Sequence, residues 1–191
     1  MRVWLLIGIG LWVLAGCSSS KEVITHPPVA APTESAPEDV TEISVVLEKG
    51  KSDLPREVET LTFSLTALEI RGVDQHIRWP LGHRVIRIAK GKPLSIPLLT
   101  TTLPVASYDT LRLYLSDAQV RFSANAGGPL TSDVGSMLSI PLSLTLQSEQ
   151  PVTLTLRFEP EPSLWRDTQC TWHFVPFFLI ETRTTTSSAT H

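Results

Sequence analysis

The sequence feature that most constrains the fold is an alternation of apolar and polar residues with a period of two. From Leu138 to Leu146 every second residue is apolar, and the residues between them are serine, proline or threonine. The same alternation runs from Val152 to Phe158. Because successive side chains of a β-strand point to opposite faces, each segment predicts a strand with one buried and one solvated face. Pro141 has no amide hydrogen for a sheet ladder, so we expect the first strand at a sheet edge or at an irregularity.

Five further segments predict strands. They are residues 43–47, 61–70, 84–88, 111–115 and 171–180. Within the second segment the apolar positions change phase between Leu65 and Leu68, which predicts a β-bulge. The last segment is apolar on both faces from Phe174 to Leu179, as in a central strand, although Pro176 limits its regularity. Seven or eight short strands without a helical stripe predict an all-β domain and favour a β-sandwich over a barrel.

The amino-terminal residues predict secretion. Arg2 precedes an apolar run over residues 3–15. A membrane-spanning helix needs about 20 apolar residues, so this shorter run matches the apolar part of a secretory signal. We therefore expect a signal peptide over residues 1–16.

The end of this signal predicts a lipid anchor. Residues Leu14-Ala15-Gly16-Cys17 resemble the bacterial lipobox, in which the cysteine thiol receives a diacylglyceryl group and the new amino end is acylated, for example with palmitate. Several acyl chains anchor a protein stably. Ser18 after the cysteine favours the outer membrane, at its periplasmic face or at the cell surface. The alternative is an ordinary signal peptide with a chance cysteine at position 17.

Composition divides the remaining chain into three parts. Residues 17–40 are rich in serine, proline and glutamate and predict a flexible, disordered tether after the lipidated cysteine. Residues 41–181 contain the predicted strands and form the β-sandwich domain. Residues 182–191 predict a disordered tail.

Charge and cysteine content exclude two classes of protein. The chain carries 16 Lys and Arg against 19 Asp and Glu, and this acidic balance argues against a nucleic-acid binder. The chain has two cysteines. If Cys17 carries lipid, Cys170 has no partner within the chain, so disulfides cannot stabilise the fold.

Four segments together resemble a bacterial lipoprotein family. In chain order they are LTFSLTALEIRG followed by Trp79, then PLSIPLLTTTLPVASYDTLRLYL, then LTLRFEPEPSL, then WHFVPFFLIE. The family is the one catalogued as domain of unknown function 4382, and the resemblance covers residues 43–180. It implies a sandwich similar to carbohydrate-binding or transthyretin-like domains, and it implies no activity. We therefore expect an immunoglobulin-like or transthyretin-like β-sandwich of about seven or eight strands.

Tyr108 predicts a structural contact. It stands where a loop enters the strand that contains Leu111, Leu113 and Leu115. In sandwich folds a tyrosine at such a corner hydrogen-bonds through its hydroxyl to nearby backbone. Contact with a ligand is the alternative role.

The sequence contains no convincing catalytic motif. Gly50-Lys51-Ser52 matches the end of a phosphate-binding loop, but Val45 stands where that loop needs a glycine, so we interpret it as a charged turn. The His-Glu-x-x-His pattern of zinc hydrolases and the Gly-x-Ser-x-Gly pattern of serine hydrolases do not occur. We therefore expect no enzyme, no catalytic residue, no metal and no cofactor.

Two pairs of residues are weak candidates for a metal or thiol site. Cys170 and His173 could share a metal only if their segment were a turn. The favoured interpretation is that the thiol and the imidazole are unrelated to one another. If residues 74–85 form a hairpin about Trp79, His76 and His83 would lie opposite one another. Two histidines supply only half of the four ligands of a zinc site, so the favoured interpretation is that both imidazoles are exposed to solvent and bind no metal.

The most informative candidate for function is a cationic segment. It contains six basic residues and one acid, which are Arg71, Arg78, Arg84, Arg87, Lys90, Lys92 and Asp74. With Trp79 beside the arginines, it predicts a binding face for a phosphate-bearing glycolipid, an acidic polysaccharide or an acidic protein. The alternative is that these residues only solvate one face of a hairpin.

These observations predict a membrane-anchored, non-catalytic lipoprotein of the cell envelope. Its sandwich would bind an envelope component, a carbohydrate or a protein partner through Trp79, Arg71, Arg78, Arg84 and Arg87. The first alternative is a structural or assembly subunit without its own ligand site. A metal-dependent or thiol enzyme that uses His76, His83 or Cys170 is the second.

Overall fold

A computed structural model describes residues 39–123, 126–132 and 136–184 of the chain. About 70% of the described residues are in strands and 3% in a helix. The elements are β1 (Val40–Lys49), β2 (Val58–Gly72), β3 (His76–Ala89), β4 (Ser95–Pro104), β5 (Ser107–Phe122), β6 (Gly127–Pro129), β7 (Thr131–Ser132), β8 (Met137–Thr145), β9 (Val152–Phe158), α1 (Pro160–Ser163), β10 (Leu164–Arg166), β11 (Trp172–Phe174) and β12 (Phe178–Thr184).

The strands form three sheets. The first has the order β12-β9-β1-β4, in which β1 pairs antiparallel with β4 but parallel with β9. The second has the order β3-β2-β5, and β5 then pairs with β8 along its first half and with β6 along its second half. The third is a small sheet of β10, β11 and β7.

The first two sheets share one hydrophobic core. Alternate residues of β1, β2, β5 and β9 are buried and belong to a single cluster. Phe63 of β2 and Phe158 of β9 meet with ring centroids 5.4 Å apart, and Phe174 of β11 lies 5.5 Å from Phe63. Since burial of apolar area is the main favourable term in folding, this contact between the inner faces stabilises the two sheets together.

The all-β prediction is confirmed, as is the absence of a barrel among the described residues. The predicted strands at 43–47, 61–70, 84–88, 111–115 and 152–158 all lie within observed strands, and β8 covers 137–145 of the predicted 138–146. The bulge is present, because the pairing of β2 shifts between Leu65 and Ala67 with both of its neighbours. Pro141 lies in β8 beside an irregularity in the pairing with β5.

The predicted strand over residues 171–180 is wrong. It is interrupted after Phe174, and its two halves, β11 and β12, belong to different sheets. Ser163 explains the interruption: its carbonyl accepts the N–H of Val175, and its hydroxyl oxygen accepts the N–H of Phe177. Pro176 between them has no N–H to donate, so this stretch cannot continue a ladder.

The domain extends slightly beyond its predicted limits. β1 begins at Val40, one residue before the predicted domain start. β12 continues to Thr184, because residues 182–184 pair with β9 back to Val152. The predicted signal peptide, Cys17, the tether up to residue 38 and the tail from residue 185 lie outside the described residues. None of the described residues belongs to a helix long and apolar enough to cross a membrane.

The predicted hairpin about Trp79 is also wrong. β3 continues past Trp79 and pairs with β2 from His76 to Ala89. In place of a turn, the strand bulges outward, since residues 81–83 oppose the single residue Thr66. Gly82 in this bulge has φ of 65°, a backbone conformation that residues with a Cβ rarely adopt.

Candidate functional site

The outer face of the second sheet carries a buried carboxylate, Glu69. In β2 this residue alternates with the core residues Leu68 and Ile70, so its side chain points away from the core. Across the sheet, it pairs with Arg78 of β3 and Arg112 of β5. The long side chains of neighbouring strands cover it, and only 2% of its surface remains exposed.

Four side chains converge on this carboxylate. Tyr114 donates its hydroxyl hydrogen to Oε2 at 2.8 Å. Arg71 donates through Nε to Oε1, and an Nη of Arg112 lies 3.3 Å from the same oxygen. His76 Nε2 lies 3.1 Å from Oε1. We call Glu69, Arg71, His76, Arg112 and Tyr114 the Glu69 cluster.

The carboxyl group of Glu69 remains ionised at pH values far below neutrality. Burial acts to raise its pKa, but the hydrogen bonds from Tyr114, Arg71 and His76 and the charge of Arg71 outweigh burial and lower the pKa to about 2. The carboxylate is therefore a fixed negative charge that holds two guanidinium groups in place. With one acid against Arg71 and Arg112, the cluster keeps a net positive charge.

Arg78 extends this positive charge at the surface. Its guanidinium carbon lies 4.0 Å from the centroid of the Tyr114 ring, in a cation–π contact. Arg78 itself is exposed. The ring that donates to Glu69 therefore also contacts an exposed guanidinium, which forms no ion pair with any residue that the structure describes.

A second cationic feature, which we call the Arg87 groove, lies farther along the same face. It is an open depression of about 440 Å³. Its lining includes Thr60, Thr62, Val85, Arg87, Gln119 and Arg121. Arg87 pairs with Thr62 across the β2–β3 ladder, and Gln119 pairs with Thr62 across the β2–β5 ladder. Within the described part of the chain, neither Arg87 nor Arg121 forms an ion pair.

The five residues of the predicted binding face do not share one face. Arg71, Arg78 and Arg87 lie on the outer face. Trp79 is in register with Leu68 and is partly buried against the core, so it is not an exposed indole beside the arginines. Arg84 is in register with Leu65, and it donates from Nη1 to the carbonyl of Leu98 at 3.0 Å, which links β3 to β4 of the other sheet.

The two lysines of the cationic segment lie at its far end. Lys90 donates through Nζ to the carbonyl of Arg56 and so fastens the loop before β2. Lys92 is exposed in the turn between β3 and β4. Neither residue belongs to the Glu69 cluster or lines the Arg87 groove.

The histidine pair is separated. His76 faces Arg71 across the ladder and joins the Glu69 cluster. His83 is exposed in the bulge of β3. The predicted opposition of the two imidazoles is therefore wrong, because it depended on the hairpin that β3 replaces.

Cys170 and His173 lie on either side of the entry to β11. Cys170 is exposed in a turn, with φ of 66°. His173 Nε2 lies 3.1 Å from Asp167 Oδ2, and its ring stacks on Trp165 with centroids 4.2 Å apart. The hydrogen bond from His173 and those from the Thr171 and Gln169 amides lower the pKa of Asp167.

The segment Gly50-Lys51-Ser52 binds an internal anion. The amides of Lys51 and Ser52 donate to Glu159 at 3.2 and 3.0 Å, and the Ser52 hydroxyl donates at 2.7 Å. Burial acts to raise the pKa of Glu159, but these hydrogen bonds lower it below its ordinary value. A Cβ at position 50 would lie 2.0 Å from Glu159 Oε1, so any other residue there would displace this carboxylate from its hydrogen bonds. The motif is therefore a turn that contacts a carboxylate of its own chain.

Tyr108 makes the contact expected of a corner tyrosine. It is buried, and its hydroxyl donates to the carbonyl of Pro104 at 2.9 Å, four residues upstream. This bond ties the end of β4 to the start of β5.

Sequence reasoning missed Glu69, Arg112, Tyr114 and Arg121. Arg112 and Tyr114 alternate with the apolar residues of β5, which indicates that they lie on the solvated face. This alternation could have predicted that Arg112 and Tyr114 lie on the same face of β5. It could not have grouped them with Glu69, because the pairing register of β2 and β5 shifts at four places.

The described residues form no metal site, and comparison with known proteins identifies no similar protein. Among residues 39–123, 126–132 and 136–184, no three His, Cys, Asp or Glu side chains are grouped so that they could hold a metal ion. Comparison of the chain with protein-family models, with curated proteins and with solved structures finds no match.

Proposed function

We propose that the protein is a lipid-anchored, non-catalytic binding protein of the bacterial outer membrane. Lipid on Cys17 holds it to the membrane, and residues 18–38 act as a tether. The described domain is an immunoglobulin-like or transthyretin-like sandwich, related to the family of domain of unknown function 4382. Its ligand is an anionic carbohydrate of the cell envelope, which binds the outer face of the second sheet.

The exposed guanidinium of Arg78 above Tyr114 carries this proposal. Tyr114 is fixed by its 2.8 Å hydrogen bond to Glu69, so Arg78 rests on a ring that cannot easily move. Burial of Glu69 keeps its charge away from solvent, whereas Arg78 remains open to it. A guanidinium oriented in this way binds carboxylate, sulfate or phosphate groups in bidentate fashion.

The charge balance favours a local rather than a general attraction to anions. The chain as a whole is mildly acidic, with a net charge of −3, so it has no general attraction to polyanions. A small cationic face on an acidic protein instead attracts only an anionic ligand that binds at that face and avoids the acidic remainder of the surface.

The proposal is tested with the full-length lipoprotein in detergent micelles, applied to immobilised polygalacturonate and to neutral dextran. We expect retention on polygalacturonate alone. Because Arg78→Ser removes one charge-assisted contact, it should weaken binding by about tenfold.

The matched control is Arg183→Ser, which removes the same charge from β12 of the other sheet, where 75% of the side chain is exposed. It should leave retention unchanged. If Arg78→Ser bound polygalacturonate as well as the unaltered protein does, the outer face of the second sheet would be rejected as the binding site. Absence of any binding to anionic carbohydrate would favour the structural or assembly role.

A further inference from the structure

We propose that the Arg87 groove is a separate, compact site that binds the phosphate monoester of a phosphorylated sugar. The groove lies on the same sheet as Arg78, but no residue of the Glu69 cluster lines it. This inference goes beyond the proposed function, because it does not depend on Arg78.

The register of three strands brings the polar residues of the groove together. Thr62 of β2 pairs with Arg87 of β3 on one side and with Gln119 of β5 on the other. Thr60 pairs with Arg121 of β5. From the usual strand spacings, the Cα atoms of the two arginines are about 10 Å apart across β2 and about 7 Å apart along it. Both side chains line the same depression, so cationic groups from both sides of β2 border one space.

The two guanidinium groups of the groove have no partner in the part of the chain that the structure describes. Neither Arg87 nor Arg121 donates a hydrogen bond or forms an ion pair there, although Glu59 stands next to the floor of the groove in β2. Elsewhere on the same face, Glu69 provides an acid for two other arginines. The groove therefore presents two positive charges whose N–H donors remain available to an external anion.

The placement of these arginines favours a phosphate over a carboxylate. A carboxylate has two oxygens in one plane, and a single guanidinium can bind both of them. A phosphate monoester has three terminal oxygens and carries a charge of about −1.5 to −2 at pH 7. It can therefore accept from Arg87 on one side, from Arg121 on the other and from the hydroxyl of Thr62 between them, and its charge offsets both arginines.

The groove also has space and an apolar wall for the sugar that carries the phosphate. Its volume of about 440 Å³ falls within the range of small-molecule sites, roughly 300 to 1,000 Å³. Val85, two residues before Arg87 on β3, lines the groove and is 59% exposed. A sugar ring that covers Val85 removes apolar surface from water, and the amide of Gln119 can donate to and accept from sugar hydroxyls. Inorganic phosphate gains neither contact.

Calorimetry of the full-length protein in nonionic detergent micelles and phosphate-free buffer tests the site. We expect one molecule of glucose 6-phosphate to bind per chain, at least tenfold more tightly than galacturonate, which carries a carboxylate instead. The double variant Arg87→Ser/Arg121→Ser should lose at least tenfold in affinity for glucose 6-phosphate. The matched control Arg183→Ser, which removes an exposed arginine from the other sheet, should keep this affinity.

Two further variants separate a shaped site from a general attraction of charges. Arg87→Lys keeps the charge but removes the planar fork of donors, so it should weaken glucose 6-phosphate binding. Val85→Ser should lower the affinity for glucose 6-phosphate to that for inorganic phosphate. If both variants bind as the unaltered protein does, the attraction is one of charge alone and the proposed site is overturned.

A phosphorylated glucosamine disaccharide, the water-soluble headgroup of a phosphoglycolipid, identifies the source of the phosphate monoester. Tighter binding of the disaccharide than of glucose 6-phosphate assigns the site to a glycolipid headgroup, and weaker binding assigns it to a free sugar phosphate. Either result supports the site if the affinity depends on Arg87 and Arg121.

The outcomes separate this inference from the proposed function. The site is overturned if neither phosphosugar binds, if galacturonate binds as tightly, or if Arg87→Ser/Arg121→Ser keeps its affinity. If Arg78→Ser still weakens retention on polygalacturonate in any of these cases, the proposed function stands. If glucose 6-phosphate binds through Arg87 and Arg121 but polygalacturonate is not retained, this inference stands and the proposed function fails.

Discussion

Glu69 shows how one residue can organise a face that several strands contribute to. In the sequence it is a single acid between apolar residues, which predicts no more than a solvated position on a strand. In the fold it is almost fully buried, because Arg71 of its own strand, His76 of β3 and Arg112 and Tyr114 of β5 surround it. A buried carboxylate is tolerated only when its charge is compensated, and here the compensation comes from residues separated from it by up to 45 positions.

Replacing Glu69 by Gln should destabilise the domain by about 2 kcal/mol near pH 7, because Arg71 and Arg112 lose their counter-charge in a partly buried site. Urea denaturation followed by tryptophan fluorescence measures the free energy of unfolding. Glu161→Gln removes an exposed acid and should change it by a few tenths of a kcal/mol at most.

The same variant tests the pKa of Glu69. In the unfolded chain this carboxyl protonates near its ordinary value of 4.5, whereas in the fold it stays ionised to about pH 2. The unfolded state therefore gains a proton first as the pH falls, and the stability that Glu69 contributes is present above pH 4.5 and lost between 4.5 and 2. Glu69→Gln should lose less stability than the unaltered protein over this interval. Parallel stability curves for the two would contradict the assignment.

At the level of elements, the bulge in β3 sets the register of the arginines that follow it. Three residues oppose one at this point, and beyond it Arg84 is in register with the core residue Leu65 and Arg87 with Thr62. The partners of these arginines in β2 therefore depend on a local irregularity.

Gly82 makes this bulge possible and provides a prediction. Its φ of 65° is unfavourable for residues with a Cβ, although nothing lies within 4 Å of the position that a Cβ would occupy. Gly82→Ala should therefore destabilise by about 1 kcal/mol through backbone strain alone. The control is Gly128→Ala, where the space is also open and φ is not positive. A loss of thermal stability in the second variant equal to that in the first would contradict this explanation.

The elements also show what a sequence of this type can and cannot predict. Alternation located β1, β2, β5, β8 and β9, because each has one face in the core. It failed at residues 171–180, where the apolar run is real but the hydrogen bonds of Val175 and Phe177 go to Ser163, in a different part of the chain. It also misplaced Trp79, which was predicted in a hairpin turn, and it could not place Arg84, because the partner of Arg84 in β2 depends on how many residues the bulge contains.

At the scale of the whole molecule, the proposed function makes the location of the domain depend on the amino-terminal residues. Cys17→Ser should prevent lipid attachment, and the protein should then leave the detergent phase and appear in the aqueous phase of a phase-separation assay. Globomycin treatment of the unaltered protein should cause accumulation of the uncleaved precursor. Membrane retention of Cys17→Ser with normal processing would reject the lipid anchor and favour an ordinary signal peptide followed by another means of attachment.

The parallel pairing of β1 with β9 has a consequence for the order in which the protein folds. Ile43 pairs with Val152 and Lys49 with Phe158, so β1 lies at the centre of its sheet between an early strand and a late one. Contacts between residues so distant in sequence form slowly. A nascent chain that ends before Val152 can pair β1 with β4 alone, leaving one edge of β1 and its share of the core uncovered. The first sheet is therefore complete only after the carboxyl-terminal strands have emerged, and until then the uncovered edge of β1 is open to pairing with another copy of the chain.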